Sequence, residues 1–333
     1  MSCAYLAFTE RGLALAQRLA AVCPGPVAWC GAGGPGLDEW TAAQFAASDA
    51  LIYIGAVGIA VRAIAPYCRS KATDPAVVVL DECGRFAVPL LSGHLGGANA
   101  LARRLAAVCG AVPVITTATD LHGLFAVDEW AKRQSCVVAE PERIKQVSGA
   151  LLAGKCVHFT TDWPIQGTPP AGVLPAADGS ADFALTLTPA GQALHIVPRI
   201  AVLGIGCRRG TTAEHLEVAF AAFCRESGLA PQGVAAAASI DLKRDEPGLA
   251  AFCRDHGWSM DFYTAAQLRA VPGSFTASGF VTSVTGVDNV CERAAVLASD
   301  GKLLLPKWAR DGVTFAAALR PFAPDWRWRD DEP

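Results

Sequence analysis

The sequence predicts an α/β protein with two open-sheet domains and a small region between them. Short apolar strands followed by glycine turns and helices recur in both halves, and this is the repeating unit of an open α/β sheet. Hydrophobic residues make up 52% of the 333 residues and charged residues 18%, which is typical of a globular protein with sizeable cores. We therefore expect an N-terminal domain (1–135), a middle domain or linker (136–199), a C-terminal domain (200–320) and a tail (321–333).

Charge and composition exclude several classes of protein. The net charge is −3 and the pI is near 6.1, which argues against a general nucleic-acid surface. No apolar run reaches the roughly 18 residues that span a bilayer, and residues 1–11 lack the basic start and apolar block of a signal peptide. We expect a cytoplasmic protein that contacts neither nucleic acid nor membrane.

The twelve cysteines do not form a metal-binding or disulfide pattern. The closest two, Cys23 and Cys30, are seven residues apart, so there is no Cys-x-x-Cys pair. Most of the others lie in apolar segments, where a thiol behaves as a small hydrophobic group. Reduced thiols are expected rather than a disulfide framework or a structural zinc site.

The N-terminal domain is predicted to contain a mixed sheet. Its strands are predicted at 3–8, 27–30, 51–54, 77–80, 86–91 and 112–115, and its helices at 11–22, 59–68, 98–108 and 125–134. The turn at 81–85 indicates a hairpin, which would add an antiparallel strand. The lone Gly-x-x-Gly at 55–58 lacks the third glycine and later acid of the dinucleotide fingerprint, so nicotinamide binding is not supported.

The strongest candidate site is the run from Ser92 to Asn99, Ser-Gly-His-Leu-Gly-Gly-Ala-Asn, between a strand and a helix. Its glycines allow a ligand to approach the backbone, and the helix start offers unpaired N–H groups. His94 can exchange a proton near neutral pH. The alternative is an ordinary strand-to-helix loop in which His94 is a surface or capping residue.

Other polar residues of this domain are weaker candidates. Thr117 and Asp120 follow a strand, at the usual ligand edge of an α/β sheet, although a single Thr in such a loop is more often a helix cap. Arg62 and Asp74 lie on or after the helix that follows the 55–58 turn. The next region, 136–199, shows short strands at 137–138, 156–160, 183–187 and 194–197, and we assign it no chemistry.

The C-terminal domain repeats the strand–loop–helix order. A strand at 201–205 leads to Arg208 and Arg209, and Thr211 with Glu214 predicts a capping box for a helix to residue 227. Two arginines at a helix start suit an anion clamp, and the alternative is two solvated surface arginines. Further strands are predicted at 234–239, 258–263, 303–306 and 313–319, with a turn at 307–312. Further helices are predicted to begin at Pro247, Thr264 and Val290, the last of them capped by Asp288, and the tail is predicted to be frayed.

Two long blocks of the chain carry a family resemblance. The runs are 55–62, 71–79, 81–99 and 113–120 in the first half, and 204–211, 238–243, 245–248, 285–287 and 306–307 in the second. They closely resemble the CbiG-type cobalamin-biosynthesis proteins, the cobalt-precorrin-5A hydrolases. Pro89 is a mild departure from the family pattern, and it affects the expected pairing of the strand before Ser92.

The resemblance implies a hydrolase that opens the ring-A δ-lactone of cobalt-precorrin-5A and releases acetaldehyde to give cobalt-precorrin-5B. It implies no cofactor or protein-bound metal, because the substrate carries the cobalt. We expect His94 to be the general base or acid, with Glu82 second and Asp74 third, although a turn Glu is more often simply solvated. The residues expected to bind this carboxylate-rich substrate, on loops of the two domains facing one cleft, are Arg62, Lys71, Gly93, Gly96, Gly97, Asn99, Thr117, Arg208, Arg209, Lys243, Glu246 and Lys307.

Two other functions are compatible with the residues. The C-terminal domain also resembles stand-alone proteins of the aerobic pathway without a clear reaction, so a non-catalytic corrinoid carrier is one alternative. A nucleotide-binding regulator is a third, with little support because a phosphate-loop lysine pattern is missing. A homodimer, or transient contact with neighbouring pathway enzymes, is left open.

Overall fold

The computed structural model describes residues 1–31, 33–70, 73–177 and 179–328. It confirms the predicted α/β class, with three multi-stranded sheets and helices between the strands. The chain divides into two compact units. Of the described residues, the first contains those within 1–132, 148–155 and 327–328, and the second contains those within 133–147 and 156–326.

The first unit contains a six-stranded sheet in the order β2-β1-β3-β4-β5-β6. Its strands are β1 (Cys3–Ala7), β2 (Val27–Trp29), β3 (Ala50–Ile54), β4 (Ala76–Leu80), β5 (Phe86–Leu91) and β6 (Val112–Pro113). Its helices are α1 (Glu10–Ala20), α2 (Leu37–Ala47), α3 (Val57–Ile64), α4 (Ala98–Cys109), α5 (Ala118–Leu121) and α6 (Val127–Arg133). Strands β1, β3 and β4 are buried along their whole length, as their uninterrupted apolar sequences require in a parallel sheet covered on both faces.

The predicted hairpin between β4 and β5 is confirmed, and it decides where the candidate site lies. The Asp81 carboxylate accepts hydrogen bonds from the backbone N–H groups of Cys83, Arg85 and Phe86, which closes the turn. Strand β5 therefore runs antiparallel to β4, while β6 is parallel to β5. As a result, β5 and β6 both end at the edge where β1, β3 and β4 begin, which we call the amino edge. The opposite edge is the carboxyl edge.

Pro89 fits within β5 because of this local pairing. Strand β6 pairs with Phe86 and Ala87, so among the described residues Pro89 faces no further strand on that side. On the other side it pairs with Val78 next to an irregularity in register. Proline is tolerated at an edge or a bulge, where its missing N–H interrupts no regular ladder.

Several element boundaries in the first unit differ from the prediction. Strand β6 has two residues rather than four, and α6 begins at Val127 rather than at 125. Helix α2 was not predicted, because its apolar residues are spread around the helix and leave no single stripe.

The second unit contains two five-stranded sheets. The middle sheet has the order β7-β11-β10-β8-β9, with β7 (Cys136–Val138), β8 (Val157–Thr161), β9 (Val173–Pro175), β10 (Phe183–Leu185) and β11 (Leu194–Pro198). The C-terminal sheet has the order β14-β13-β12-β16-β15, with β12 (Ala201–Cys207), β13 (Val234–Ile240), β14 (Ser259–Tyr263), β15 (Lys302–Arg310) and β16 (Val313–Leu319). The remaining helices are α7 (Ile144–Leu152), α8 (Ala213–Ser227), α9 (Pro247–Asp255), α10 (Ala265–Ala270), α11 (Gly279–Thr285) and α12 (Cys291–Ser299).

One hydrophobic core runs through both sheets of the second unit. Leu187 and Val197, from the middle region, belong to the same buried cluster as Leu203, Phe220 and Phe315 of the C-terminal sheet. The backbone N–H of Ala230 donates to Leu187 O at 2.8 Å, which ties the two parts together. The middle strands therefore pack onto the C-terminal sheet rather than forming an isolated linker.

The predicted helix caps of the second unit were partly wrong. Helix α8 is capped by Thr212, whose Oγ1 accepts from the N–H of His215, so the Thr211–Glu214 capping box does not form. Asp288 does not cap α12. Its carboxylate pairs with Arg293, and Asn289 Oδ1 accepts the N–H of Glu292 instead. The Thr264–Gln267 capping box of α10 does form, and the start of α9 at Pro247 is also confirmed.

Lys307 and the tail are also placed differently from the prediction. Lys307 lies within β15, because that strand extends to Arg310 and the turn is confined to Asp311 and Gly312. The tail is docked rather than frayed as far as Trp326, which is 6% exposed and packs edge-on against Phe159 at a centroid distance of 4.8 Å. Within the described residues, every helix is too short or too polar to cross a bilayer.

The docking of Trp326 predicts a stability effect. Trp326→Ala should lower the free energy of unfolding by about 3–5 kcal/mol, because it empties a buried aromatic site. The measurement is urea denaturation, with the 38% exposed Trp29 changed to Ala as the matched control. An equal, small loss in both variants would show that the tail adds nothing to the fold.

Candidate functional site

The loop from Ser92 to Gly97 joins β5 to α4 at the amino edge, and its shape depends on small residues. Ser92 has a φ of +56° and is held by two hydrogen bonds, from its Oγ to Asp74 O (2.9 Å) and from Ala98 N–H to its own carbonyl (3.1 Å). A methyl group added at Gly96 would lie 2.3 Å from Ser92 Cβ, so the loop cannot keep this path with a larger residue there. Gly97, with a φ of +87°, begins the helix.

His94 projects from this loop into a group of charged side chains, which we call the His94 cluster: His94, Asn99, Arg103, Asp120, Asp128 and Glu129. His94 Nε2 lies 3.0 Å from Asp120 Oδ2 and 3.7 Å from Glu129 Oε1, and Nδ1 lies 3.3 Å from Asp128 Oδ2. Asp120 also accepts from Arg103 and from Asn99 Nδ2, the latter at 3.0 Å. The two ring nitrogens of His94 therefore both face carboxylates.

The surroundings of His94 favour its charged form. Burial alone lowers the pKa of the imidazole, but the hydrogen bonds to Asp120 and Asp128 outweigh burial and raise the pKa of His94 to about 10. Burial likewise raises the pKa of Asp120, but its hydrogen bonds to His94 and Arg103 prevail and lower it to about 2. At neutral pH the cluster thus presents an imidazolium, which can donate a proton but cannot accept one.

Glu129 differs electrostatically from its two carboxylate neighbours. Burial raises the pKa of Glu129, and the charges of Asp120 and Asp128 raise it further, while His94 opposes them. Its side chain is 12% exposed, compared with 4% for Asp120 and 6% for Asp128. The cluster therefore combines a fixed anion in Asp120 with a carboxylate that titrates closer to neutrality.

The structure brings together three of the predicted site residues of the first unit. Asn99 Nδ2 donates to Thr117 Oγ1 at 3.0 Å as well as to Asp120, so Asn99, Thr117 and His94 share one network. Gly93 and Gly96 shape the loop that carries His94, and a side chain at Gly93 would meet Asn99. The backbone N–H of Asn99 donates to Gly93 O, so it is not free to bind a ligand.

Three residues of the His94 cluster were missed by the sequence analysis. Asp128 and Glu129 open α6, where acidic residues are usually explained by the helix dipole. Arg103 lies on α4 on the side away from the apolar stripe, which resembles a solvated face. Among the three carboxylates of the cluster, only Asp120 could be picked out from the sequence, because it follows the Thr-rich end of a strand.

Within the described residues, His94, Asp120 and Glu129 place one ligand atom each within 4.8 Å of one another, close enough to share a metal ion. These atoms already have charged partners. Arg103 contacts Asp120, and the imidazolium of His94 faces all three carboxylates. The donor set therefore fits a protonated ion-pair network better than a resident metal.

Two predicted catalytic residues lie elsewhere or have another role. Glu82 follows β4 at the carboxyl edge, and its carboxylate accepts a hydrogen bond from Thr9 Oγ1 at 2.7 Å. Because the His94 loop lies at the amino edge, the length of β4 separates Glu82 from it. Asp74 lies at the amino edge, but its Oδ2 is occupied by the N–H groups of Arg69 and Ser70. Its role in the structure is to hold the chain segment that anchors Ser92.

The other two predicted cations of the first unit are Arg62 and Lys71. Arg62 lies exposed in the last turn of α3, a helix that begins at the carboxyl edge. Lys71 lies outside the described residues.

A second candidate site lies at the carboxyl ends of β12 and β13. It is a cavity of about 780 Å³, which we call the C-terminal cavity. All five residues predicted for this half line it: Arg208, Arg209, Lys243, Glu246 and Lys307. Arg310 and Asp311 also line it and were missed, because the turn was predicted to be longer. Five cationic side chains and two carboxylates therefore surround the cavity, which suits a polyanionic ligand.

Buried carboxylates brace the C-terminal cavity. Glu246 accepts from Gly210 N–H at 2.8 Å and from Lys243 Nζ at 3.0 Å, so it ties the two cationic loops together. The Gly210 hydrogen bond, followed by Lys243, lowers the pKa of Glu246. Glu292, which is fully buried, accepts from the backbone N–H of Lys307 at 2.7 Å.

The raised pKa of His94 predicts a pH-dependent stability. The ordinary pKa is 6.5 and the folded value is about 10, so the stabilisation is complete below pH 6.5 and is lost as the pH rises through 10. Wild-type unfolding free energy should therefore fall between these values by up to ~1.4 kcal/mol per pH unit. Urea titrations of His94→Gln should lack this slope, while the control His122→Gln, at an exposed residue, should keep it. The same slope in His94→Gln would assign the effect to another group.

Comparison with known proteins identifies the family. Family models match three consecutive regions, described as cobalamin synthesis G N-terminal (residues 39–120), cobalamin biosynthesis central region (125–181) and cobalamin synthesis G C-terminus (201–318).

Named relatives cover nearly the whole chain. A protein from Salmonella typhimurium named cobalt-precorrin-5A hydrolase is 37% identical, over 96% of this chain and 97% of that protein. One of the same name from Priestia megaterium is 32% identical, over 84% of this chain and 80% of its own. Among solved structures, a cobalamin biosynthesis protein G homolog from Sulfolobus solfataricus is 19% identical, with a TM-score of 0.41 over 96% of this chain and 97% of that one. The chain therefore belongs to the cobalamin-synthesis G (CbiG) family.

Proposed function

We propose that this chain is a cobalt-precorrin-5A hydrolase that opens the ring-A δ-lactone and releases acetaldehyde to give cobalt-precorrin-5B. The names of the two relatives support the substrate. The observation that carries the reaction is the largely buried imidazolium of His94, which is hydrogen-bonded to Asp120 and can donate a proton to a leaving oxygen.

In this proposal His94 takes part in both stages of the reaction. Water loses one proton to a base as its oxygen bonds to the lactone carbonyl carbon. The C–O bond to the ring oxygen then breaks as the proton on His94 Nε2 passes from its hydrogen bond with Asp120 to that oxygen. The imidazole, now neutral, then removes the proton from the same hydroxyl. The neighbouring C–C bond breaks, acetaldehyde leaves with its new C=O bond, and the bonding electron pair passes into the conjugated macrocycle.

The C-terminal cavity is proposed to bind the acetate and propionate groups of the tetrapyrrole. Arg208 and Arg209 at the start of α8, with Lys243 held by Glu246, offer charge-assisted hydrogen bonds to carboxylates. The cobalt belongs to the substrate in this proposal, and the reaction uses no resident metal or cofactor. Any homodimer or contact with neighbouring pathway enzymes would be additional to this binding.

Removal of the imidazole should abolish most of the activity. His94→Asn should lower kcat for acetaldehyde release by about 10²-fold or more, because the leaving oxygen loses its proton donor. The assay is anaerobic turnover of cobalt-precorrin-5A with enzymatic detection of acetaldehyde. His122→Asn, at an exposed residue after α5, is the control and should keep the wild-type rate. A wild-type rate in His94→Asn would remove His94 from the mechanism.

Removal of one cavity cation should weaken binding. Arg209→Met should raise the tetrapyrrole Kd about tenfold, since a hydrogen bond between charged groups is worth roughly 1.5–3 kcal/mol. Titration of the tryptophan fluorescence measures it. Arg254→Met, on the exposed face of α9 and away from the residues that line the cavity, is the matched control. Equal affinity of both variants would place the ligand elsewhere.

A non-catalytic corrinoid carrier is the second candidate, and the C-terminal cavity favours it because the cavity is formed entirely within the second unit. Tight tetrapyrrole binding by the wild type without acetaldehyde release would support the carrier over the hydrolase.

A further inference from the structure

We infer that Glu129 is the general base that activates the water for lactone opening, an assignment that rests on the proposed function. The geometry of the His94 cluster distinguishes Glu129 from the two aspartates beside it. Each of the three carboxylates lies close to His94, so their other contacts and their accessibility decide which one can accept a proton from water.

Asp120 is fully engaged. It accepts from His94, Asn99 and Arg103, and its side chain is 4% exposed. A carboxylate that accepts several hydrogen bonds from charged donors is a poor base, because protonation would break those bonds. Asp120 therefore orients the imidazolium and keeps it charged.

Asp128 is enclosed. Its residue is 4% exposed, one oxygen faces His94 Nδ1 at 3.3 Å, and the other is buried without a hydrogen-bond partner among the described residues. A water molecule that must also reach a bulky lactone has no access to an oxygen in this position. Asp128 therefore contacts the Nδ1 side of the His94 imidazole, and Asp120 contacts the Nε2 side.

Glu129 is both accessible and available. Its Oε1 lies 3.7 Å from His94 Nε2, which is longer than a hydrogen bond, and within the described part of the chain no donor occupies its carboxylate. Its side chain is the most exposed of the three carboxylates, at 12%, and the neighbouring His94 is 14% exposed. The accessible face of the cluster thus includes Glu129, which accepts no hydrogen bond from the described residues, beside the proton donor His94 and the more exposed Arg103.

The charges that face Glu129 are compatible with this role. They are the anions Asp120 and Asp128, which disfavour its ionised form, and the cations His94, Arg103 and Lys132, which favour it. Burial adds to the effect of the anions. Two titratable groups with opposite environments are the usual arrangement of a paired base and acid.

The step balances as follows. Glu129 takes one proton from water as the water oxygen forms a bond to the lactone carbonyl carbon. The tetrahedral intermediate then collapses, the bond to the ring oxygen breaks, and His94 gives that oxygen a proton. The products are a carboxylic acid and an alcohol, with Glu129 protonated and His94 neutral, and no oxidant or further reactant is required.

The test is the pH dependence of acetaldehyde release by Glu129→Gln in the full-length chain. We expect kcat to fall about 10²–10³-fold with little change in KM, and the acidic limb of the pH profile, which reports ionisation of the base, to disappear. Glu129→Asp should keep an acidic limb with a rate reduced about tenfold, because its carboxylate is withdrawn from the water. The matched control is Glu39→Gln, which removes an exposed carboxylate from the first turn of α2 and should keep the wild-type profile.

Each outcome decides the assignment. The assignment of Glu129 is overturned if the acidic limb of the pH profile persists in Glu129→Gln, or if the rate of this variant is within threefold of wild type. It is also overturned if the activity falls because the variant has lost thermal stability while the acidic limb is unchanged. If Glu129→Gln does not fold, Glu129→Asp decides, since a wild-type rate there overturns the role. Failure of the proposed function is distinguishable, because the wild-type chain itself would then release no acetaldehyde.

Discussion

The ion-paired carboxylate of Asp120 is the interaction on which the N-terminal site depends. A buried carboxylate costs several kcal/mol in lost hydration unless charged donors surround it. Here the donors come from two segments, His94 from the loop after β5 and Asn99 and Arg103 from α4, and Asp120 itself lies on α5. Satisfying this one charge therefore fixes the relative positions of the loop and both helices, and it also keeps the imidazole protonated at neutral pH.

Strand direction explains why this site forms where it does. Because β5 returns antiparallel to β4, and β6 follows β5, their ends meet at the amino edge of the other strands. The His94 cluster thus lies beyond the carboxyl ends of β5 and β6, which is the position where ligands bind in open α/β sheets. Glu82, in the turn before β5, is carried to the opposite edge by the same hairpin.

The C-terminal cavity also lies beyond the carboxyl ends of parallel strands, but buried glutamates hold its loops in place. The loops after β12 and β13 carry the cations, and the adjacent β15–β16 hairpin closes the side. Glu246 and Glu292 accept backbone N–H groups, which holds cationic loops close together without leaving buried charges unpaired. Mutual repulsion among the arginines and lysines is thus countered by carboxylates that also serve as structural braces.

The sequence by itself determined the class of fold, the hairpin at Asp81, the glycine loop around His94 and the cationic loops at Arg208, Arg209 and Lys243. These follow from local patterns: apolar runs of strand length, glycines where the backbone is crowded, and polar residues just after strands. The same patterns could not separate Glu82 from His94, because side-chain neighbours at a sheet edge depend on strand direction and order.

Only the tertiary structure decided the composition of the His94 cluster and the contacts within it. Asp128 and Glu129 look in sequence like ordinary acids at a helix start, and the position of α6 against the loop is what turns them toward His94. The protonation state of an imidazole is set by the charges within a few ångströms of it, and those charges come from residues up to 35 positions away in the chain. Spacing along the sequence does not show which residues come within that distance, so His94 could be singled out from the sequence but Asp128 and Glu129 could not.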